Sequence, residues 1–291
     1  MLKRKAFNRI LLTTIIFFIV LILCTFMNGS FDEDSFREKS QDNYVYTLNS
    51  DNYVSKASVY VSKELSLEDE IKEKLEIITD ENNKNSLLPS YFKPILPKNT
   101  EILDVKLEDS LVKLYFSKEL YDINKEQAEK MIESIIYTIN DNKDILGIEI
   151  YADGDMLKYV PHTDKMLPTV LTRDFGINKT YEISSTSDIV KVVMTYYGSY
   201  DGVYYEVPIT KYVNSDMDRL DVIINNLDGM VYGLNLISMV DDVELVDYKV
   251  NSGCIYVVLN RELDKDEKKV VRSSIFANYD VKDVEFGVRT G

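Results

Sequence analysis

Residues 101–120 read EILDVKLEDSLVKLYFSKEL, and residues 244–263 read ELVDYKVNSGCIYVVLNREL. At a shift of 143 positions, Glu101, Asp104, Lys106, Glu119 and Leu120 return unchanged as Glu244, Asp247, Lys249, Glu262 and Leu263. Apolar residues return in kind, with Val112, Leu114 and Phe116 becoming Ile255, Val257 and Leu259. Each copy predicts a β-hairpin, because Leu103, Val105 and Leu107 alternate with Asp104, Lys106 and Glu108 before a turn at Asp109–Ser110. The second copy turns at Asn251-Ser252-Gly253, a sequence suited to positive φ. A repeat of this length implies a duplicated unit, so the flanks of the two copies should correspond as well.

They do correspond. Ser66 and Asp69 predict the capped start of a helix that buries Ile71, Leu75 and Ile78. At a shift of 149, Ser215 and Asp218 repeat the cap signature, and Leu220, Ile224 and Leu227 repeat the buried stripe. After the first hairpin, Asn124 and Gln127 offer a second capping box ahead of a helix burying Ala128, Met131, Ile132, Ile135, Ile136 and Ile139. A strand over Leu146–Tyr151 closes the unit, with a turn at Asp153-Gly154, and Val284-Glu285-Phe286 matches Ile148-Glu149-Ile150 at a shift of 136. A β-run at Ala57–Val61 precedes the first helix, and a hairpin of Ile189–Tyr196 and Val203–Thr210 precedes its counterpart. Length changes fall in loops or take whole turns, as a structural repeat tolerates. Each unit therefore reads β–α–β–β–α–β, an α+β fold with two helices on one face of an antiparallel sheet. The domains are expected at 53–159 and 188–291, joined by a linker at 160–187. That linker holds Pro161, Pro168, Gly176 and a Ser/Thr cluster at Ser184–Ser187, while Leu167, Val170, Leu171 and Phe175 pack part of it on a domain.

The chain of 291 residues carries 34 Lys and Arg against 49 Asp and Glu, a net charge of −15. Four of the bases, Lys3, Arg4, Lys5 and Arg9, precede the first hydrophobic segment. The acidic remainder repels phosphate backbones, so a nucleic-acid partner is not expected. Residues 1–9 form a basic cytoplasmic segment, and Ile10–Met27 runs without a charge for a length that spans a bilayer as a helix. Three readings follow: an uncleaved transmembrane anchor with the remainder outside the cytoplasm, a lipoprotein signal using Cys24, or a cleaved secretory signal. The anchor fits the length best. Lipidation of Cys24 is disfavoured by Leu23, which stands where a small residue belongs. Residues 28–52 read as a polar membrane-proximal spacer, with a short strand at Tyr44–Leu48.

No catalytic, cofactor-binding or metal-ligating set is apparent. His162 is the only histidine, and Cys254 is the only cysteine besides Cys24. General acid–base work needs a positioned partner, and His162 has none in the pattern, so it reads as an exposed bystander. Asp153-Gly154-Asp155 lacks the register of a calcium loop and reads as a turn. Glu68/Asp69 and Asp241/Asp242 read as solvated helix ends and loops. Glu119 and Glu262 recur at equivalent places, and a duplicated residue more often serves the fold. Tyr115, Tyr151 and Tyr256 fall on the strand face opposite the core set. They read either as ordinary half-exposed strand residues or as anchors on a protein-binding face.

The two units, each with a capped helix, a hairpin ending in Phe116-Ser117-Lys118-Glu119-Leu120 or Leu259-Asn260-Arg261-Glu262-Leu263, a helix and an Ile148-Glu149-Ile150 type strand, resemble the GerM family. These are sporulation and germination proteins with tandem GerMN domains. The resemblance covers about Val54–Gly291 and implies an envelope protein acting between mother cell and forespore, alongside a secretion-like channel complex. It also implies no enzymatic activity, no cofactor, and ring-building-like αββαβ modules with self-oligomers or other sporulation envelope proteins as partners. Relatives are typically lipoproteins, and Leu23 departs from that pattern. Two other functions stay open on the residues alone. One is a module that binds the cell wall or regulates a peptidoglycan enzyme. The other is a small-molecule sensor with a pocket between the domains.

Overall fold

The computed structural model describes residues 43–62, 65–79, 88–142, 144–227, 235–251 and 253–289. The expected membrane segment 10–27, Cys24 and most of the expected spacer lie outside the described residues. No described helix is long and apolar enough to cross a membrane.

The first half runs β1 (Asn43–Asn49), β2 (Val54–Val59), α1 (Leu67–Ile77), β3 (Phe92–Lys93), β4 (Ile102–Glu108), β5 (Leu111–Phe116), α2 (Lys125–Ile139), β6 (Gly147–Ala152) and β7 (Asp155–Met156). The second runs β8 (Thr180–Glu182), β9 (Ile189–Tyr200), β10 (Val203–Asn214), α3 (Arg219–Leu227), β11 (Leu245–Asn251), β12 (Cys254–Leu259), α4 (Lys265–Phe276) and β13 (Asp283–Val288). The repeated hairpins are β4–β5 and β11–β12, and Asp109 and Gly253 supply the positive φ of their turns.

The fold is α+β with four helices among the described residues, but its sheets differ from the expected one in two ways. First, β5 pairs with β6, and β12 with β13, in parallel. Each pair is joined by a helix, and a helical crossover returns the chain in the same direction. The sheets β4-β5-β6-β7 and β11-β12-β13 are therefore mixed rather than antiparallel. Second, the strands that precede the first helix of each unit lie in sheets of their own, β2-β1-β3 and β8-β10-β9: the first unit has two such strands rather than one, and the second has the expected hairpin as β9–β10, with the short β8 beside it. The expected spacer consequently stops short of residue 52. Its strand at 43–49 is the central strand of a sheet, with Val45, Thr47 and Leu48 fully enclosed.

The helices lie where the apolar periodicity puts them. Ile71, Leu75 and Ile78 are buried on α1, and Leu220, Ile224 and Leu227 on α3. Helix α2 is enclosed over most of its length, from Ala128 through Ile139. Its sheet-facing stripe joins the buried residues of β5 and β6 in one core, and its other side closes the open edge of β1. There Ser134 donates its hydroxyl to the Tyr46 carbonyl, and Thr138 Oγ1 accepts from the Tyr46 N–H at 2.8 Å. The second unit does the same thing. Ser274 accepts from the Thr195 N–H at 3.0 Å, and Asn278 accepts from the Val193 N–H at 2.9 Å and donates to its carbonyl. A buried backbone group without a partner costs about 1–3 kcal/mol, so these side chains, from α2, α4 and the turn after α4, substitute for a missing neighbouring strand.

Capping matches the sequence in part. Ser66 accepts from the Asp69 N–H as expected. Asn124 makes no side-chain cap bond, and Ser215 accepts from Met217 in a turn that ends before α3 begins. The full capping box is Asp264/Glu267 on α4, where each side chain bonds the other's backbone N–H.

Candidate functional site

Two places gather side chains that do not merely fill a core: the seam between the halves, and the outer faces of the two mixed sheets.

The seam is built by the segment expected to be a linker. Val160, Leu167, Leu171 and Ile177 are buried, and Asn214 bonds the backbone of Ser184, Ser185 and Ser187. Residues 160–187 are therefore part of the folded body. At their centre is Asn178, buried and in the left-handed region at φ 46°. Strands β2 and β10 run side by side here, and the Asn178 amide stands between them. Its Oδ1 accepts from the Val54 N–H at 2.9 Å, and its Nδ2 donates to the carbonyls of Val54 at 2.7 Å and Pro208 at 2.9 Å. Proline has no N–H, so Pro208 asks only for a donor on that side. The asparagine amide supplies it, acting as a single inserted peptide unit.

Charges brace the same seam. Lys179 Nζ reaches Glu129 at 2.6 Å and Glu133 at 2.8 Å, with the Phe175 ring 3.9 Å away. Burial pushes the Glu133 carboxyl up, and the Lys179 ammonium and the Asn178 N–H offset this only in part. Burial works against the Lys179 charge too, yet Glu133 and Glu129 outweigh it and raise the ammonium. The Glu133 carboxylate is nearly enclosed on a helix of buried neighbours. An aromatic group finishes one end, where Tyr91 stacks on Tyr200 and Tyr205 at 5.3 and 5.5 Å.

A cleft of about 560 Å³ opens along the seam, lined by Tyr46, Lys56, Tyr137, Asp141, Arg173 and Glu206 among others. Lys56 pairs with Glu206 across the halves at 3.8 Å, and Arg173 with Asp141 at 3.2 Å while its guanidinium lies over Tyr137. Burial raises both phenols well above the usual tyrosine range, so they stay neutral. Paired charges and neutral phenols make this a brace between the halves.

On the outer face of the first mixed sheet, Tyr115 and Tyr151 stack at 4.8 Å, and the Tyr151 hydroxyl donates to Glu149 at 2.8 Å. Lys106 with Asp104 and Lys113 with Glu108 add paired charges around this aromatic centre. On the second sheet Tyr256 is exposed and rests over Gly287, where any Cβ would meet its hydroxyl. At the repeat shifts Tyr115 corresponds to Val258 and Tyr256 to Lys113, so the two outer faces are not copies of each other.

His162 Nε2 lies 2.8 Å from the Tyr121 carbonyl at an exposed turn with φ 61°. Glu119 is exposed in a 3-10 turn bonded to Ser117, and Glu262 reaches Lys268 at 3.5 Å. Asp153 and Gly154 form the turn between β6 and β7. Cys254 is a free thiol on β12. The structure does not bring these residues together.

Residues 44–158 match a family model described as Germane: sporulation and spore germination. Over 243 residues the chain is 27% identical to the spore germination protein GerM of Bacillus subtilis strain 168. The chain resembles GerM. The match takes in 80% of this chain and 65% of the length of that relative. The tandem GerMN domains of Bacillus subtilis GerM superpose with a TM-score of 0.77 at 22% identity, covering 85% of this chain and 90% of that one. The fold is thus that of the tandem GerMN domains, and the family match falls in the first half of the chain.

Proposed function

We propose that this protein is a non-catalytic component of the spore envelope. It is held to the membrane by residues 10–27, with the domains outside the cytoplasm, and it assembles with or stabilises the channel complex between mother cell and forespore. The reading is supported by the relation to a spore germination protein, the basic flank and apolar run at the N-terminus, and above all the seam. Hydrogen bonds, ion pairs and stacked rings fix the tandem domains as one body that presents two different outer faces, which suits a scaffold better than a catalyst. Deleting the gene should arrest spore development after engulfment, and the protein should co-purify with other envelope proteins from sporulating cells. Normal spores from a deletion strain would end this reading.

The Tyr115–Tyr151 stack favours a second reading, a module that rests on the glycan of the cell wall. In that case the protein sediments with purified wall, and Tyr115→Ala with Tyr151→Ala abolishes sedimentation.

A further inference from the structure

The two domains treat one equivalent sheet edge differently. On β6 the chain that follows pairs with each residue whose backbone groups point away from β5. Ile148 exchanges hydrogen bonds with Leu171, the Ile150 carbonyl accepts from Leu157 at 2.8 Å, and Ala152 pairs with Asp155. The equivalent residues on β13 are Val284, Phe286 and Val288. Val284 is closed by side chains, its N–H donating to Asp283 at 2.7 Å and its carbonyl accepting from Arg272 at 3.0 Å. Gly287 and its alternate neighbours face β12, as the bond from the Arg289 N–H to Leu259 shows. Phe286 and Val288 therefore turn their N–H and carbonyl groups outward, and among the described residues nothing pairs with them.

The side chains of this edge are self-complementary. Glu285 and Arg289 stand exposed on one face, two residues either side of Gly287, and neither has a salt-bridge partner among the described residues. Val288 is 49% exposed on the other face beside the half-buried Phe286. In an antiparallel pair about a two-fold axis through Gly287, Phe286 faces Val288 of the second copy, and Glu285 faces its Arg289. Each relation then occurs twice, as an isologous contact requires. The register also turns the outward groups of Phe286 and Val288 into narrow pairs, each exchanging two hydrogen bonds. Glycine at the axis removes the only side chains that would collide there. The other open edges of this sheet type are β4 and β11, and both carry a register irregularity, beside Leu103 and Val246 respectively. Bulges of that kind blunt an edge against pairing.

We propose that β13 is a docking edge for a second copy of this chain. Two copies pair antiparallel about Gly287 into one continuous sheet across the dimer. The contact does not depend on the sporulation role, and its test is separate.

The test uses the full chain in its membrane with Cys24→Ser and Cys254→Ser, carrying Glu285→Cys and Arg289→Cys together. Within one strand these positions are about 13 Å apart, too far for a disulfide within one copy. Across the two-fold they form a non-hydrogen-bonded pair with Cα atoms about 4.5 Å apart, which a disulfide can bridge. Mild oxidation should convert most of the double variant into a covalent dimer, while Glu285→Cys alone stays monomeric. In the cysteine-containing parent, Glu285→Arg should lower the dimer fraction severalfold, and Glu285→Arg with Arg289→Glu should restore it. The proposal is overturned if the double variant forms no dimer, if the single cysteine links equally well, if the thiols capture a different protein, or if the charge exchange fails to restore what the single reversal lost.

Discussion

Replacing Asn178 tests whether the two domains are one body. Asn178→Ala removes three hydrogen bonds and leaves the Val54 N–H, the Val54 carbonyl and the Pro208 carbonyl buried without partners. Orphaned groups of this kind cost about 1–3 kcal/mol each, and water entering the gap recovers part of that. Alanine also tolerates the left-handed backbone less well than asparagine, by about 1 kcal/mol. The expected loss is about 3–5 kcal/mol, a large share of the roughly 5–15 kcal/mol that holds a folded chain. Asn178→Gly loses the same bonds without the backbone strain, so it should be about 1 kcal/mol milder than alanine at this step. The assay is urea unfolding of the full chain in detergent, followed by far-UV circular dichroism and by tyrosine emission, since the chain has 21 Tyr and no Trp. The wild type should unfold in one transition, and Asn178→Ala in two as the domains uncouple. A variant within about 1 kcal/mol of wild type that keeps a single transition would refute the splint.

Three other perturbations bear on the same architecture. Lys179→Met strands the Glu133 carboxylate and should cost about 3–5 kcal/mol at neutral pH; the deficit should shrink on acidification, because burial already raises that carboxyl and protonation removes the stranded charge, and adding Glu133→Gln should recover stability at pH 7. On α4 the Arg261 guanidinium, with the Asp264 N–H, holds the Glu267 carboxyl below its ordinary value. A lowered folded value stabilises above the unfolded value near 4.5 and is lost as pH falls through the folded one, so Arg261→Ala should flatten the acid limb of a stability-versus-pH curve. Ser134→Ala with Thr138→Val should loosen β1 by about 2–4 kcal/mol and speed amide exchange at Tyr46 and its neighbours, while β9 keeps its protection through Ser274 and Asn278.

The parts of the fold that show in the sequence are those written in apolar periodicity. The stripes Ile71-Leu75-Ile78 and Leu220-Ile224-Leu227, the hairpins and their turns follow from alternation and spacing, because burial of one face demands it. Proline, serine and glycine make residues 160–187 read as a linker. Their contribution is polar and depends on distant partners: nothing local marks Asn178 as the group that meets Val54, 124 residues away. A signal does exist in α2 and at the end of α4. Ser134 and Thr138, and Ser274 and Asn278, place polar residues at i,i+4 beside buried apolar ones, where only a buried acceptor or donor keeps them. Glu133 interrupts the stripe of α2 in the same way. The direction of β6 and β13 required knowing that a helix crosses over the sheet, which strand and helix order alone permits but does not impose. The outer tyrosines were placed on the correct face by alternation, whereas their stacking partners were not legible.

The splint has a consequence for anyone dividing this protein. A cut anywhere in 160–187 does not release two finished halves. It separates the flanks of β2 and β10, and whichever fragment lacks Asn178 carries main-chain groups that Asn178 had satisfied. Such fragments should re-associate with each other or stick to themselves, and reuniting them in trans should restore a single melting unit.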